Sequence, residues 1–214
     1  MNENFCVYLD AGHGGLSPLG RYTTGAGKQF QHKQGVFHGN GFFYEGVWNR
    51  TITSKVAERL SNLKINHIIV SHEYLDLDLA YRADKANWYH RNYKRGIIIS
   101  NHANASPSHR GRGYEVYTSP GRTGADAIAE FHWNHVNDLL GKNGTITMRS
   151  DMSDGDHDKE ENFYMLRKTV MPAILIEHLF FDNYRDALLL FDDDVIERFV
   201  EAQVRTIINY INSL

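Results

Sequence analysis

Four short apolar runs, separated by stretches of helical periodicity, constrain this chain more than any other feature. Phe5-Cys6-Val7-Tyr8-Leu9, His67-Ile68-Ile69-Val70-Ser71, Ile97-Ile98-Ile99-Ser100 and Ala173-Ile174-Leu175-Ile176 have the length and side chains of buried strands. After the first run, Val47, Trp48, Ile52, Val56, Leu60 and Leu63 recur every three or four residues, the stripe of an amphipathic helix. A second helix is predicted over 77–93, where Leu79, Ala83, Ala86 and Tyr89 or Tyr93 share a face. Residues 113–118 alternate as a strand, Pro120-Gly121 breaks the pattern, and helical spacing resumes over 125–140. Val195, Phe199, Ala202, Val204, Ile207, Ile208 and Ile211 mark a long C-terminal helix. Strands alternating with helices predict an α/β fold, with a mostly parallel central sheet and helices on both faces.

No repeat, low-complexity tract or Pro/Ser-rich linker interrupts the 214 residues, so a single domain over 1–214 is expected. Charged residues make up 23% and the net charge is −3, a balance without the basic footprint of a nucleic-acid binder. The lone cysteine, Cys6, sits among apolar neighbours and is expected to be a buried structural thiol. Met1-Asn2-Glu3-Asn4 lacks the basic and apolar regions of a signal peptide, and no apolar stretch approaches the ~18 residues of a membrane span. Residues 14–41, rich in Gly, Gln, Thr and His, read as a long loop with few apolar anchors. Residues 150–161 read as a solvated acidic loop; with Gly155 at the sixth position of a calcium loop, Ser150 and Met152 would fall at ligand positions, and that reading fails. Most of the twelve histidines lie in polar surroundings and are expected at the surface.

Three chemistry-bearing residues follow the strand runs: His13, His102 and Glu177. In a parallel sheet the carboxyl ends of the strands share one edge, so residues distant in sequence meet there. A fourth, Glu45, opens the first helix, where the helix dipole favours a carboxylate. Two imidazoles and one carboxylate suit Zn²⁺ with an open fourth position, and the remaining glutamate could serve as a base. Structural alternatives exist for three of them: a tight turn at Gly12-His13-Gly14, a core histidine at His102 and a dipole partner at Glu45. Glu177 is harder to explain that way, because an ionised carboxylate in an apolar strand is costly unless paired. His178, its neighbour, is expected on the opposite face. A phosphate loop is excluded by Ser17 in the place of the third glycine, and a serine or cysteine triad has no supporting motif.

These residues resemble the zinc-dependent N-acetylmuramoyl-L-alanine amidases of the amidase-3 type. The resemblance runs in order through Leu9-Asp10-Ala11-Gly12-His13-Gly14-Gly15, Glu45 with Asn49, Leu79 and Arg82 with Ala86-Asn87, Ser100-Asn101-His102-Ala103-Asn104-Ala105, Gly113-Tyr114-Glu115-Val116-Tyr117, and Pro172 through Glu177 to Asn183. It implies Zn²⁺ held by His13, Glu45 and His102, with Glu177 as the catalytic carboxylate. Asn104 and Arg167 are the substrate contacts it suggests. The implied substrate is peptidoglycan or a muramyl peptide, cut between N-acetylmuramic acid and L-alanine. Ala11, Asn101 and His178 depart from the family pattern, and the segment 14–44 is longer than usual. A chain made in the cytoplasm without an evident signal peptide, and acting at the wall once released, is similar to a phage or prophage endolysin. A sporulation or wall-recycling amidase, a zinc amidohydrolase acting on a small cytoplasmic amide, and a catalytically dead wall-binding module are the other readings. The oligomeric state is left open.

Overall fold

Alternation along the first strand, β1 (Phe5–Ala11), decides how the layers assemble. Phe5, Val7 and Leu9 enter one apolar cluster, while Cys6 and Tyr8 enter another on the opposite face. The computed structural model describes residues 4–214; residues 1–3, the start of the stretch read above as signal-free, lie outside them. After β1 come β2 (Gln29–Gln31) and β3 (Phe42–Tyr44), then helix α1 (Glu45–Asn62), β4 (His67–Ile69), α2 (Leu79–Asn92) and β5 (Arg95–Asn104). The chain continues through β6 (Glu115–Thr118), α3 (Asp126–Val136), β7 (Lys159–Glu160), α4 (Tyr164–Lys168), β8 (Ala173–Phe180), α5 (Tyr184–Leu190) and α6 (Asp193–Ser213).

Six strands form one sheet in the order β4-β1-β5-β8-β6-β7, in which only the β6–β8 pair is antiparallel. The α/β class with a mostly parallel sheet is therefore as expected. The odd-numbered residues of β1 and β5 pack with Trp48, Ile52 and Val56 of α1, Ile128 of α3, and Phe199 and Val200 of α6. The opposite face, with Tyr8, Ile98, Ala173 and Leu175, meets Ala83 and Ala86 of α2 and Met165 and Leu166 of α4. The second face carries the smaller cover. At its helix start α6 is held by Asp192, whose carboxylate accepts from the backbone N–H of Asp194 and Val195 at 2.9 and 3.1 Å.

Several expectations are corrected. The segment 14–44 is not a bare loop: it holds the antiparallel β2–β3 pair and two single helical turns, and it is anchored by buried His32, Phe37 and Phe43. Phe37 packs on Phe43 and Phe191, and His32 Nε2 lies 2.9 Å from the Phe181 carbonyl, so aromatic contacts replace apolar periodicity. The acidic segment 150–161 contributes β7, which pairs parallel with β6. Helix α3 stops at Val136 and ends in one wider turn over Asn137–Gly141. Strands β5 and β8 extend beyond their apolar runs, so His102 and Glu177 lie within strands. Of the twelve histidines, His32, His90, His102, His132 and His178 are buried and only His109 is exposed; partner groups inside the core, not surface position, accommodate the buried ones. Cys6 is a buried free thiol, as expected. Among the described residues no helix is long and apolar enough to cross a membrane.

Candidate metal centre and active site

Parallel register brings the first two functional side chains together. His102 of β5 pairs directly with Glu177 of β8, and Glu177 pairs across its other edge with Glu115 of β6. Alternation then directs all three to one face, the face that carries α2 and α4. His178 turns to the other face, against Trp48 and Phe199. There Asn101 Oδ1 accepts from His178 Nε2 at 3.0 Å and from Gln203 Nε2 at 2.9 Å, while Asn101 Nδ2 donates to Thr53 Oγ1. The two strand positions that depart from the family pattern, Asn101 and His178, are thus partners in one buried network.

His13 follows β1 with φ of +64°, a left-handed conformation that costs ~1–3 kcal/mol in a residue with a side chain. Its neighbours hold it there. Gly12 N donates to the Asn101 carbonyl at 3.0 Å, Asn49 Nδ2 donates to the Gly12 carbonyl at 3.1 Å, and Gly14 N donates to Thr24 Oγ1 at 2.6 Å. Gly12 is required for a second reason: a Cβ there would stand 2.0 Å from His102 Cε1. Gly46 lets the start of α1 approach the turn, since its Cβ would stand 1.7 Å from the Gly14 carbonyl oxygen. The first residue of that helix is Glu45, 1% exposed.

These constraints converge three donors. His102 Nδ1 lies 3.1 Å and His13 Nε2 3.3 Å from Glu45 Oε1, and the three ligand atoms lie within 4.8 Å of one another. Ligand atoms of a tetrahedral ion with bonds of ~2.0–2.1 Å stand ~3.3 Å apart, and the two distances to Glu45 Oε1 match that spacing. His13 Nε2 and Glu45 Oε2 are buried with no hydrogen-bond partner; Lys28 Nζ, at 3.4 Å from Glu45 Oε2, gives only an ion pair. Burial pushes the Glu45 carboxyl up, but His13, His102 and Lys28 outweigh it and hold the group far below the usual carboxylate range. Burial lowers the His102 imidazole despite the opposing pull of Glu45. An ionised carboxylate and a neutral imidazole are the protonation states that metal binding needs.

Beside this pocket, burial together with the Glu45 charge raises the Glu177 carboxyl well above its ordinary range, with Lys28 opposing and Glu115 reinforcing. Glu177 Oε2 is a buried oxygen without a hydrogen-bond partner. Further down the same face, both Asp10 carboxylate oxygens accept from Arg82 Nη1, at 2.8 and 2.9 Å, and Oδ2 also accepts from the Ser100 hydroxyl at 2.7 Å. That cross-tie fixes β1, β5 and α2 immediately beneath the donors.

The two expected substrate contacts sit differently. Asn104, half-buried, donates weakly from Nδ2 to Glu115 Oε2 at 3.4 Å, and its Oδ1 accepts from Ala105 N. Arg167 is exposed on α4, its guanidinium 5.9 Å from the Tyr164 ring centre. Sequence reasoning missed Lys28, Glu115 and the cations around Glu115. The alternation of Gly113–Thr118 marked Glu115 as facing opposite to Val116, but the pairing with Glu177 emerges only from strand order.

The fold is thus an α/β protein with a mostly parallel sheet, carrying two imidazoles and a carboxylate as a three-donor cluster beside a fourth residue's carboxyl group. The chain belongs to the N-acetylmuramoyl-L-alanine amidase family, whose Amidase_3 model matches residues 7–209. It is 26% identical over 211 residues to the endolysin of Bacillus phage SPP1, covering 96% of this chain and 66% of that protein, so it spans just under two thirds of the relative's length. In fold it is similar to an N-acetylmuramoyl-L-alanine amidase from Clostridium difficile 630, with 23% identity, a TM-score of 0.75 and 99% of each chain covered. It is also similar to the catalytic domain of the amidase CwlV from Bacillus (Paenibacillus) polymyxa var. colistinus, with 24% identity and a TM-score of 0.69 over 97% of this chain and 98% of that one.

Proposed function

We propose that this protein is a zinc-dependent peptidoglycan amidase of the endolysin type, cleaving the amide between N-acetylmuramic acid and the L-alanine of the stem peptide. The observation that carries the reading is the lateral pairing of Glu177 with His102, which sets a proton-accepting carboxyl beside the His13, Glu45 and His102 donors. When bound by those three residues, Zn²⁺ supplies a Lewis acid that polarises an amide carbonyl and lowers the pKa of water toward ~7.

The chain's own residues do the rest. Gly12 leaves room for the His102 ring, and Asn49 steadies the turn that presents His13. Glu177 takes a proton at a carboxylate oxygen as water adds to the carbonyl, then delivers it to the departing amine nitrogen. Beyond the donors, a groove of about 430 Å³ runs between Ala26, Gly27 and Phe30 of the long segment and Ser106, Pro107 and His109 after β5. None of the four site residues lines this groove, and the polymeric substrate is assigned from the family. Action at the cell wall after release from the cell is the setting in which such a substrate is met.

Digestion of purified peptidoglycan, followed by mass analysis of the released fragments, tests the reading. Stem peptides with a free L-alanine amino terminus are expected; new reducing sugars without such peptides would overturn it. Elemental analysis should find one zinc per chain, lost in His102→Ala; full zinc occupancy in that variant would remove His102 from the ligand set.

A further inference from the structure

Glu115 is 2% exposed and holds more positive charge than its neutralisation requires. Lys159 Nζ lies 3.1 Å from its Oε1, and Arg149 Nε contacts the same oxygen. Its other oxygen already receives the Tyr117 hydroxyl and, weakly, Asn104 Nδ2. One cation balances this carboxylate; the second is in excess of Glu115 alone, with Glu177 as the next carboxyl along the sheet. Both cations keep an accessible end, with side chains 40% exposed for Arg149 and 25% for Lys159. An ammonium has three donors and a guanidinium five, so each retains donors beyond its bond to Glu115. Arg149 is further held over the Phe180 ring, 5.5 Å from its centre, which limits the freedom a ligand would have to remove.

Position gives this cation pair its meaning. Glu115 pairs with Glu177, which pairs with His102, so the three stand side by side on one face. With strands ~4.8 Å apart, Glu115 lies ~10 Å across the sheet from His102 and ~7 Å from a point midway between His102 and Glu177. An extended peptide advances ~3.3–3.6 Å per residue, so the shorter span is covered by about two residues. A peptide cut between the donors and Glu177 and running toward β6 would carry its second residue over the cations.

We infer that Arg149 and Lys159, seated on buried Glu115, form a carboxylate-binding subsite that recognises a free carboxylate on the stem peptide, two residues from the cleaved amide. The inference rests on the amidase reading and adds to it a chemical preference. A carboxylate adds to these cationic donors an ion–ion attraction that a neutral carboxamide lacks, and the guanidinium can bind both of its oxygens at once.

The test uses the zinc-loaded enzyme and two muramyl peptides that differ only at the second residue, one bearing a free carboxylate and the other a carboxamide. The wild type should cleave the carboxylate form with a KM about tenfold lower and a similar kcat. Arg149→Gln and Lys159→Gln each leave one cation on Glu115, and each should cut that preference at least threefold while cleavage of the carboxamide form persists. Arg149→Lys, which keeps the charge, should retain most of the preference, and it decides the matter with Lys159→Gln should Arg149→Gln not fold. Equal KM values for the two peptides in the wild type, or an unchanged ratio in the folded Gln variants, would overturn the subsite alone. Cleavage of neither peptide by the wild type would instead overturn the amidase reading beneath it.

Discussion

Gly12→Ala puts a single methyl group against the proposed metal pocket. The added carbon would stand 2.0 Å from His102 Cε1, 2.4 Å from Nε2 and 2.5 Å from Nδ1. Carbon atoms in contact need ~3.5 Å, so the ring must retreat by ~1.5 Å or the turn must move. The turn is poorly placed to move, because Gly12 N and O are both bonded and His13 depends on the same backbone. The ring therefore gives way, taking His102 Nδ1 out of its 3.1 Å relation with Glu45. Overpacking of this kind costs ~1–3 kcal/mol of stability, and a ~1 Å misplacement at a reacting centre costs ~10²-fold in rate. The variant should thus fold, bind zinc more weakly and lose about two orders of magnitude in kcat/KM. Thermal unfolding with excess chelator isolates the packing cost, and elemental analysis after dialysis, with turnover of a muramyl peptide, reads the site. Wild-type zinc content together with activity within threefold of wild type would refute the argument, because the predicted displacement would then be absent or harmless.

Other outcomes follow from the same geometry. Glu177→Gln should keep fold and zinc yet lose ~10²- to 10⁴-fold in kcat, since the three donors remain while the proton carrier is gone; near-normal turnover with zinc bound would contradict its role. Arg82→Leu should destabilise the protein by ~3–5 kcal/mol in urea titration, because the wholly buried Asp10 loses its counter-charge and keeps only the Ser100 hydroxyl. Asn101→Val should cost ~1–3 kcal/mol for each group it orphans, and His178 and Gln203 are two, while adding His178→Ala should recover part of that loss. For pH, burial depresses the His132 imidazole to about 3, so the folded state binds fewer protons than the unfolded state below ~6.5. Stability held by neutral His132 is complete above pH ~6.5 and falls as pH drops toward 3, by at most ~1.4 kcal/mol per unit. Urea midpoints at pH 7 and pH 5 should differ less in His132→Asn than in the wild type.

How much of this was legible beforehand depends on which physical signal each part leaves in one dimension. The buried strands announce themselves because burial on both faces demands continuous apolar runs, and α1 and α6 because one-sided burial writes a 3.6-residue stripe. His13, His102 and Glu177 could be gathered because a parallel sheet sends strand ends to a common edge, whereas Glu45 stood out as the carboxylate that opens the first helix. The β2–β3 pair left no such mark. Its stability comes from a few aromatic rings, Phe30, Phe37 and Phe43, reaching His109, Phe191 and Phe181 far along the chain, and neither strand is long enough to show alternation. His32, His90 and His132 misled in the same way: His132 Nδ1 meets the Tyr114 hydroxyl at 2.5 Å and His32 Nε2 the Phe181 carbonyl at 2.9 Å, partners 18 and 149 residues away. Glu115 gained its importance only when strand order inserted β8 between β5 and β6.

That insertion also means that chemical competence is quantised. Glu177 meets His102 through a register whose side chains alternate with a period of two, and His178 stands next in line. A slip of β8 by one position would carry the carboxyl to the far side of the sheet and bring an imidazole or an isoleucine opposite His102 in its place. A mispaired molecule would therefore be inert, not merely slower, and a partly active preparation should divide into fully competent and dead chains. The spacing of His102 and Glu177 is counted in strand pairs, whereas His13 and Glu45 also lean on the segment between β1 and α1, through Thr24 at Gly14 and Lys28 at Glu45.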